Sequence, residues 1–260
     1  PDSDMFFVRE GVIYDHYHEK ITIVILVEEG EEKKGIARLE EIKNEIFDSK
    51  VKISFPQRNS SVKPVYSNTT KDEYMKMVEK SKEYIREGDI FQVVLSQRWS
   101  MEQDMHPFEI YRVLRSTNPS PYLFYFNFGD YKVAGSSPEM LVEMKNNRVK
   151  NCPIAGTRKR GKNFKEDIEI AKEMLEDPKE RAEHVMLVDL ARNDMGRIAE
   201  VGSVEVTEFM EVQNYSHVMH IVSLVEGNKE KNQDVFSVLG SFLPAGTLSG
   251  APKIRAMEII

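Results

Sequence analysis

From Ile90 onward the sequence switches repeatedly between short β-rich runs and helical repeats of apolar residues. That alternation narrows the fold more than any other feature. Ile90 to Arg98 reads as a strand, Pro107 to Ser116 as a helix and Tyr122 to Phe128 as a strand. Val133 to Ala134 and Met140 to Met144 extend a sheet across a Gly135-Ser136-Ser137-Pro138 break. The helical stretches Phe164 to Glu176 and Lys179 to Leu190 meet at Asp177-Pro178. Val204 to Val212 and His217 to Val225 read as strands, and Asp234 to Phe242 as a helix. Pro244 to Pro252 is a loop leading into a last helix. Strands in meander order with interspersed helices predict a layered α+β fold rather than a doubly wound parallel sheet.

Before Ile90, Phe6 to Tyr14 and Lys20 to Val27 flank Asp15 to Glu19, a hairpin pattern. Glu28 to Lys34 is a charged turn, and Ile36, Leu39, Ile42 and Ile46 recur at helical spacing. Asp48 to Asn68, with two prolines and five serines, reads as a connecting segment. Asp72 to Glu87 is an amphipathic helix that Gly88 terminates. The expected division is an N-terminal, strand-rich part with its connector over residues 1–70 and a second region over 71–260. The chain opens almost directly into an alternating apolar stretch and stops at Met257-Glu258-Ile259-Ile260 inside a helical pattern. The expectation is therefore a fragment of a longer polypeptide, truncated at its C-terminus.

Composition excludes several classes of function. Lys and Arg number 36 against 43 Asp and Glu, a net charge of −7, which speaks against nucleic acid and against anionic membranes as partners. The longest early apolar run, Ile23 to Val27, is far shorter than the ~20 residues of a membrane span. One cysteine, Cys152, forbids an intrachain disulfide and points to a reducing compartment, so the expected location is cytoplasmic.

Glu180 and Glu183 stand three apart on a helix and project from one face. Paired carboxylates repel unless a cation lies between them, and Mg²⁺ suits a few carboxylates, waters and an anionic substrate. A solvated helix face shows the same spacing. Leu190 to Asp194 reads as the end of that helix, with Asn193 or Gly196 as a left-handed cap. Ile154-Ala155-Gly156-Thr157-Arg158 and Ala245-Gly246-Thr247 are small-residue loops whose amides and hydroxyls suit an anion, or are simply turns. His217 and His220, three apart in a strand, face opposite sides and form no metal pair. Glu139, after a tight break, is either a cap or a general acid.

In order, the segments GDIFQVVLSQR, NPSPYLFY, GSSPE, PIAGTRKRG, AEHVMLVDLARND, YSHVMH and FLPAGTLSGAPKIRAMEII run from Gly88 to Ile260. Together they resemble the chorismate-utilising enzymes, and among them the large, chorismate-binding components of the anthranilate synthase type. The likeness starts near Asp72; residues 1–70 match only loosely. It implies a two-domain α/β sandwich and Mg²⁺-dependent conversion of chorismate and ammonia to anthranilate and pyruvate, in the tryptophan branch. A glutamine amidotransferase partner subunit would supply the ammonia.

Residue by residue, Glu183 matches the family's direct Mg²⁺ ligand and Glu180 its partner through water. Glu139 matches the acid that protonates the departing hydroxyl, and His220 the histidine near the reacting ring. Gly156, Thr157 and Thr247 match substrate-contacting positions. Gln92 lies where water-adding relatives carry a lysine base. Ala155 lies where aminodeoxychorismate synthases carry a lysine nucleophile. Both favour direct addition of ammonia. Asn118, Pro119, Ser120 and Tyr122 resemble part of the family's L-tryptophan feedback site, whose other part, an N-terminal Leu-Leu-Glu-Ser segment, is not in this sequence. The family's second glutamate pair is likewise not in the sequence, so these 260 residues alone are expected to be inactive. The competing readings are an aminodeoxychorismate synthase and a non-catalytic remnant that holds the partner or tryptophan.

Overall fold

The computed structural model describes residues 4–48, 63–215 and 217–260. The chain divides into two compact units, Pro1–Arg58 and Asn59–Ile260. In the first, β1 (Glu10–Asp15) and β2 (Lys20–Ile25) form the expected antiparallel hairpin. Asp15 closes its turn, accepting the Tyr17 and His18 amides at 2.9 Å each, because a short carboxylate reaches backbone donors two and three residues on. Helix α1 (Glu32–Asp48) begins inside the stretch expected as a charged turn, with Glu32 in its first turn complementing the helix dipole. Arg38 grips the Glu10 carboxylate with two bonds of 3.0 Å. Most of the expected connector, Asp48 to Asn68, lies outside the described residues.

The second unit runs through β3 (Val65–Ser67), α2 (Lys71–Glu87), β4 (Gln92–Val93), β5 (Trp99–Met101), α3 (Pro107–Thr117), β6 (Tyr122–Asn127) and β7 (Lys132–Ser137). It continues with β8 (Glu143–Lys145), β9 (Arg148–Asn151), β10 (Ile154–Lys159), α4 (Phe164–Glu176) and α5 (Pro178–Gly196). It ends with β11 (Glu205–Asn214), β12 (Val218–Asn228), α6 (Val235–Phe242), α7 (Gly246–Ser249), β13 (Gly250–Ala251) and α8 (Lys253–Ile259). The helix boundaries follow local chemistry. Thr70 and Glu73 form a reciprocal capping box ahead of α2, and Gly88 closes it at φ +83°. Asp177 caps α5 and Asp234 caps α6.

The main sheet is antiparallel and centred on β12. One edge of β12 pairs with β11; on the other, β10 takes its first half and β9 its second, with β8 beyond β9. Pro153, without an N–H, separates β9 from β10. Helix α5 lies across this sheet and against α6. Val188, Ala191 and Met195 of α5 pack there with Val149, Val225 and Phe242. Met174, Met210, Met219 and Ile221 form a second cluster. Burying such side chains stabilises by about 1.5–3 kcal/mol each. The layered mixture of helix and sheet is as expected, but the meander is not, because β12, late in sequence, sits in the middle.

Three local expectations need correction. Strand β7 runs through Gly135-Ser136-Ser137, paired with Leu123 and its neighbours, and the break falls at Pro138, where the amide donor is missing. Of Ile90 to Arg98 only Gln92–Val93 is a strand, because its partner β13 is two residues long. Helix α5 continues to Gly196 rather than ending with Leu190 to Asp194, since Leu190, Ala191 and Met195 keep a face to bury. Neither Asn193 nor Gly196 is left-handed.

Candidate active site

Three groups of expected residues come together around α5. The first is built by a bulge. Ala155 opposes Ile221 and Arg158 opposes Met219, so Gly156 and Thr157 both face the single residue His220. Gly156 adopts φ +63°, and a Cβ there would lie 3.0 Å from Glu180 Oε2, so the position requires glycine. The bulge aims its polar atoms at the histidine. His220 Nδ1 lies 2.9 Å from the Gly156 carbonyl and 3.1 Å from Thr157 Oγ1. A carbonyl only accepts, so Nδ1 carries the proton and Nε2 is the nitrogen left for proton exchange. Tyr215 packs edge-on against the ring, 5.4 Å away. Ala155 is 8% exposed within β10, a position with no reactive group.

The same bulge meets the start of α5. Arg158 Nη1 donates to Glu180 Oε1 at 2.9 Å and to the Thr157 carbonyl at 3.1 Å, while its Nη2 stands 3.5 Å from Asp177 Oδ2. Glu183, one turn on, has no hydrogen-bond or ion-pair partner among the described residues.

The second group pairs Glu139 with Thr247. The Thr247 hydroxyl donates to Glu139 Oε1 at 3.2 Å. Both line a cleft of about 350 Å³ with Leu187, Leu190, Asp194 and Phe242. Burial raises the Glu139 carboxyl above its ordinary range, and the Thr247 hydroxyl only partly offsets this. A carboxyl so placed retains its proton longer than a surface glutamate, as a general acid must. Asp194, in the same cleft, forms a 2.6 Å ion pair with Lys253, and its side chain and that of Lys253 are 6% and 5% exposed.

The third group is Gln92 and Glu183, which line a larger cleft of about 750 Å³ with Phe91, Met186, Asn193 and Pro252. Gln92 Oε1 is buried without a hydrogen-bond donor among the described residues. Gly250 makes the nearby pairing of β13 with β4 possible; its φ is +132°, and a Cβ would fall 2.2 Å from the Gln92 carbonyl oxygen. Leu190 lines both clefts, and residues 244–252 contribute to both.

Among the described residues no group of three or more His, Cys, Asp or Glu is arranged to hold a metal ion. Mg²⁺ needs no such group, because it keeps several waters and takes one or two carboxylates. The unpartnered Glu183 carboxylate and the orphaned Gln92 oxygen supply hard oxygen donors to one cleft, and these fit such a cation. Glu180 is not among the residues lining that cleft and is held by Arg158.

Asn118, Pro119 and Ser120 lie between α3 and β6 and Tyr122 opens β6; none of the four lines either cleft, and the Asn118 carbonyl accepts from Ser136 Oγ at 2.7 Å. The sequence reading missed Arg158, Lys253 and the buried His184. His184 Nε2 lies 2.6 Å from Ser223 Oγ, its Nδ1 has no partner among the described residues, and burial lowers its pKa to about 4. A helical histidine amid apolar neighbours was the only signal for it.

Comparison with known proteins agrees with this architecture. A family model described as chorismate binding enzyme matches residues 1–260. The chain is 48% identical over 271 residues to anthranilate synthase component 1 of Acetivibrio thermocellus, covering 100% of this chain and 55% of that protein. It is 41% identical over 261 residues to aminodeoxychorismate synthase component 1 of Bacillus subtilis, again over 100% of this chain and 56% of that one. The crystal structure of anthranilate synthase component I from Streptococcus pneumoniae matches with a TM-score of 0.80 at 42% identity, over 97% of this chain and 56% of that chain. The chain thus spans about half the length of these relatives. No helix among the described residues is long and apolar enough to cross a membrane. Matched along its whole length by the family model and in fold by a solved relative, the chain belongs to the chorismate binding enzymes.

Proposed function

We propose that this chain is the chorismate-binding part of an anthranilate synthase large component, converting chorismate and ammonia to anthranilate and pyruvate. The observation that carries the reading is Gln92 beside Glu183 in one cleft. An amide there cannot deprotonate water, but its orphaned oxygen can accept a hydrogen bond from an amine.

Each residue then has a task its surroundings suit. Glu139, its carboxyl raised by burial, gives its proton to the departing ring hydroxyl, which leaves as water while the nitrogen–carbon bond forms. A proton from the incoming nitrogen restores Glu139. His220, its Nδ1 tied to Gly156, offers Nε2 to the reacting ring during loss of pyruvate, when a ring proton is removed and the enolpyruvyl ether bond breaks. Thr157, Gly156 and Thr247 border the substrate. Glu183 would hold Mg²⁺ directly and Glu180 through water, and the ion would supply positive charge for the substrate's ring carboxylate. Ammonia would come from a glutamine amidotransferase subunit, and Asn118 to Tyr122 would contribute to an L-tryptophan site.

The 41% identical Bacillus subtilis relative keeps aminodeoxychorismate synthesis as the second reading, with Ala155 against it. The test is to incubate the full polypeptide with chorismate, Mg²⁺ and an ammonium salt and to resolve products by fluorescence-detected chromatography. Anthranilate is expected, and lost in Glu183→Gln. Aminodeoxychorismate as the end product would move the assignment to the second reading.

A further inference from the structure

Asp194 holds two elements at once, one on either side of residues 244–252. Its backbone carbonyl accepts from Ser241 Oγ on α6, three residues before that segment. Its carboxylate Oδ2 takes the Lys253 ammonium at 2.6 Å on α8, directly after it. Both partners are buried. The anchor is rigid, because Asp194 stands near the end of α5 among Ala191 and Met195, which pack into the main core. Between the two anchors the segment makes its contacts with the site. Thr247 Oγ1 donates to Glu139 Oε1 at 3.2 Å. The Phe91 amide donates to the Ala251 carbonyl at 2.7 Å and the Val94 amide to the Ser249 carbonyl at 3.0 Å, so these two bonds bracket Gln92. An apolar pair would fill the space of Asp194 and Lys253 about as stably, since desolvating two charges offsets most of their attraction. What a charge-assisted bond adds is direction: it fixes one distance, whereas apolar contact tolerates sliding.

We infer that Asp194 is a positioning residue that clamps residues 244–252 at both ends and so sets the Thr247 hydroxyl against the Glu139 carboxyl. This rests on the reading of Glu139 as the acid for the departing hydroxyl. Because Thr247 donates to Oε1, the acid proton sits on Oε2, and the clamp thereby decides which oxygen meets the leaving group. Freed at one end, the segment keeps its packing but no longer holds that hydroxyl in one place. A misplacement of ~1 Å in a supporting group costs up to about 10²-fold in rate. The acid acts while the bond breaks, so the loss falls on kcat rather than on KM.

The test measures kcat and KM for chorismate, with Mg²⁺ and an ammonium salt, on the full polypeptide alongside urea melts. Lys253→Met should lower kcat about tenfold and move KM by less than about threefold. Thr247→Val should cost about the same, and in the Lys253→Met background it should add little, because both act through one hydrogen bond. Ser241→Ala releases the other end and should lower kcat in the same direction. Asp194→Leu with Lys253→Met should regain stability yet stay about tenfold slow, which separates positioning from structural support. That double variant decides the question if Lys253→Met alone does not fold. With Glu139→Gln slow as expected, three results would each overturn the clamp. They are a kcat that recovers together with stability in the double variant, losses that multiply toward about a hundredfold with Thr247→Val, and a normal kcat in Ser241→Ala. Normal kcat in both Thr247→Val and Glu139→Gln would overturn the reading of the Glu139 cleft itself, and this inference with it.

Discussion

Replacing Lys253 by methionine removes one half of an ion pair almost completely withdrawn from water. Its ammonium lies 2.6 Å from Asp194 Oδ2, at an exposure of 5% for one side chain and 6% for the other. At that separation the charges attract by about 6 kcal/mol for an effective dielectric near 20. Part of this offsets the cost of desolvating both groups, so the pair as a whole adds little net stability. Removing a single partner is different, because the desolvated carboxylate remains and its compensation does not. The expected loss is about 3–5 kcal/mol of unfolding free energy. Asp194→Leu together with Lys253→Met removes both charges and should recover most of that loss.

The pH dependence has a definite sign. Burial already raises the Asp194 carboxyl despite Lys253 beside it. A group raised in the folded state contributes stability that is full below its unfolded pKa and lost as pH rises through the folded one. Without Lys253 the value rises further, so Lys253→Met should be less stable at pH 8 than at pH 5 relative to the parent. Urea titrations of the full polypeptide, followed by far-ultraviolet circular dichroism at both pH values, measure each quantity. Single changes costing under about 1 kcal/mol, with effects that simply add, would show that the pair is hydrated and refute the reasoning.

Other perturbations test other parts of the site. Gly156→Ala puts a side chain at φ +63° and against Glu180 Oε2, so urea melts should show a loss of about 1–3 kcal/mol; an unchanged midpoint would count against the bulge geometry. His184, lowered by burial to about 4, must take up a proton when the chain unfolds in acid, so its contribution is complete above 6.5 and lost toward pH 4. Between pH 7.5 and 4.5 this amounts to about 2.5 kcal/mol, and His184→Gln should lack that part of the acid dependence. Parallel stability–pH curves for parent and variant would dismiss it. Glu139→Gln should lower turnover by about 10²–10⁴-fold and abolish the alkaline limb of the parent's rate profile, which follows loss of the Glu139 proton through its raised pKa. An alkaline limb of the same midpoint in the variant's residual activity would assign the limb to another group.

The sequence exposed the features that local chemistry decides. Gly88 as a helix stop, Asp177-Pro178 between two helices and the hairpin around Asp15 are each written in adjacent residues. The spacing of Glu180 and Glu183 likewise placed both on α5. What remained hidden depends on partners distant in sequence. Lys253 and Asp194 are 59 residues apart and Arg158 and Glu180 are 22 apart, and no periodicity announces either bond. The Ala-Gly-Thr of β10 was visible as a small-residue loop, but the register that sets two of its residues against His220 belongs to β12. The length of α5 was misread for a related reason: Leu190 to Asp194 looks like a polar ending until α6 supplies Phe242 for its apolar side to meet.

Residues 244–252 border both clefts, with Thr247 at the Glu139 carboxyl and Ala251 and Pro252 in the wall shared with Gln92. For anyone redesigning the chain to accept a bulkier ring, the two chambers are therefore not separate dials. A bulkier residue at the buried Ala251 is expected to displace the strap that carries the Thr247 hydroxyl, and the acidity of Glu139 with it. Useful variants should emerge from a library as pairs, one change at each end of this nine-residue strap.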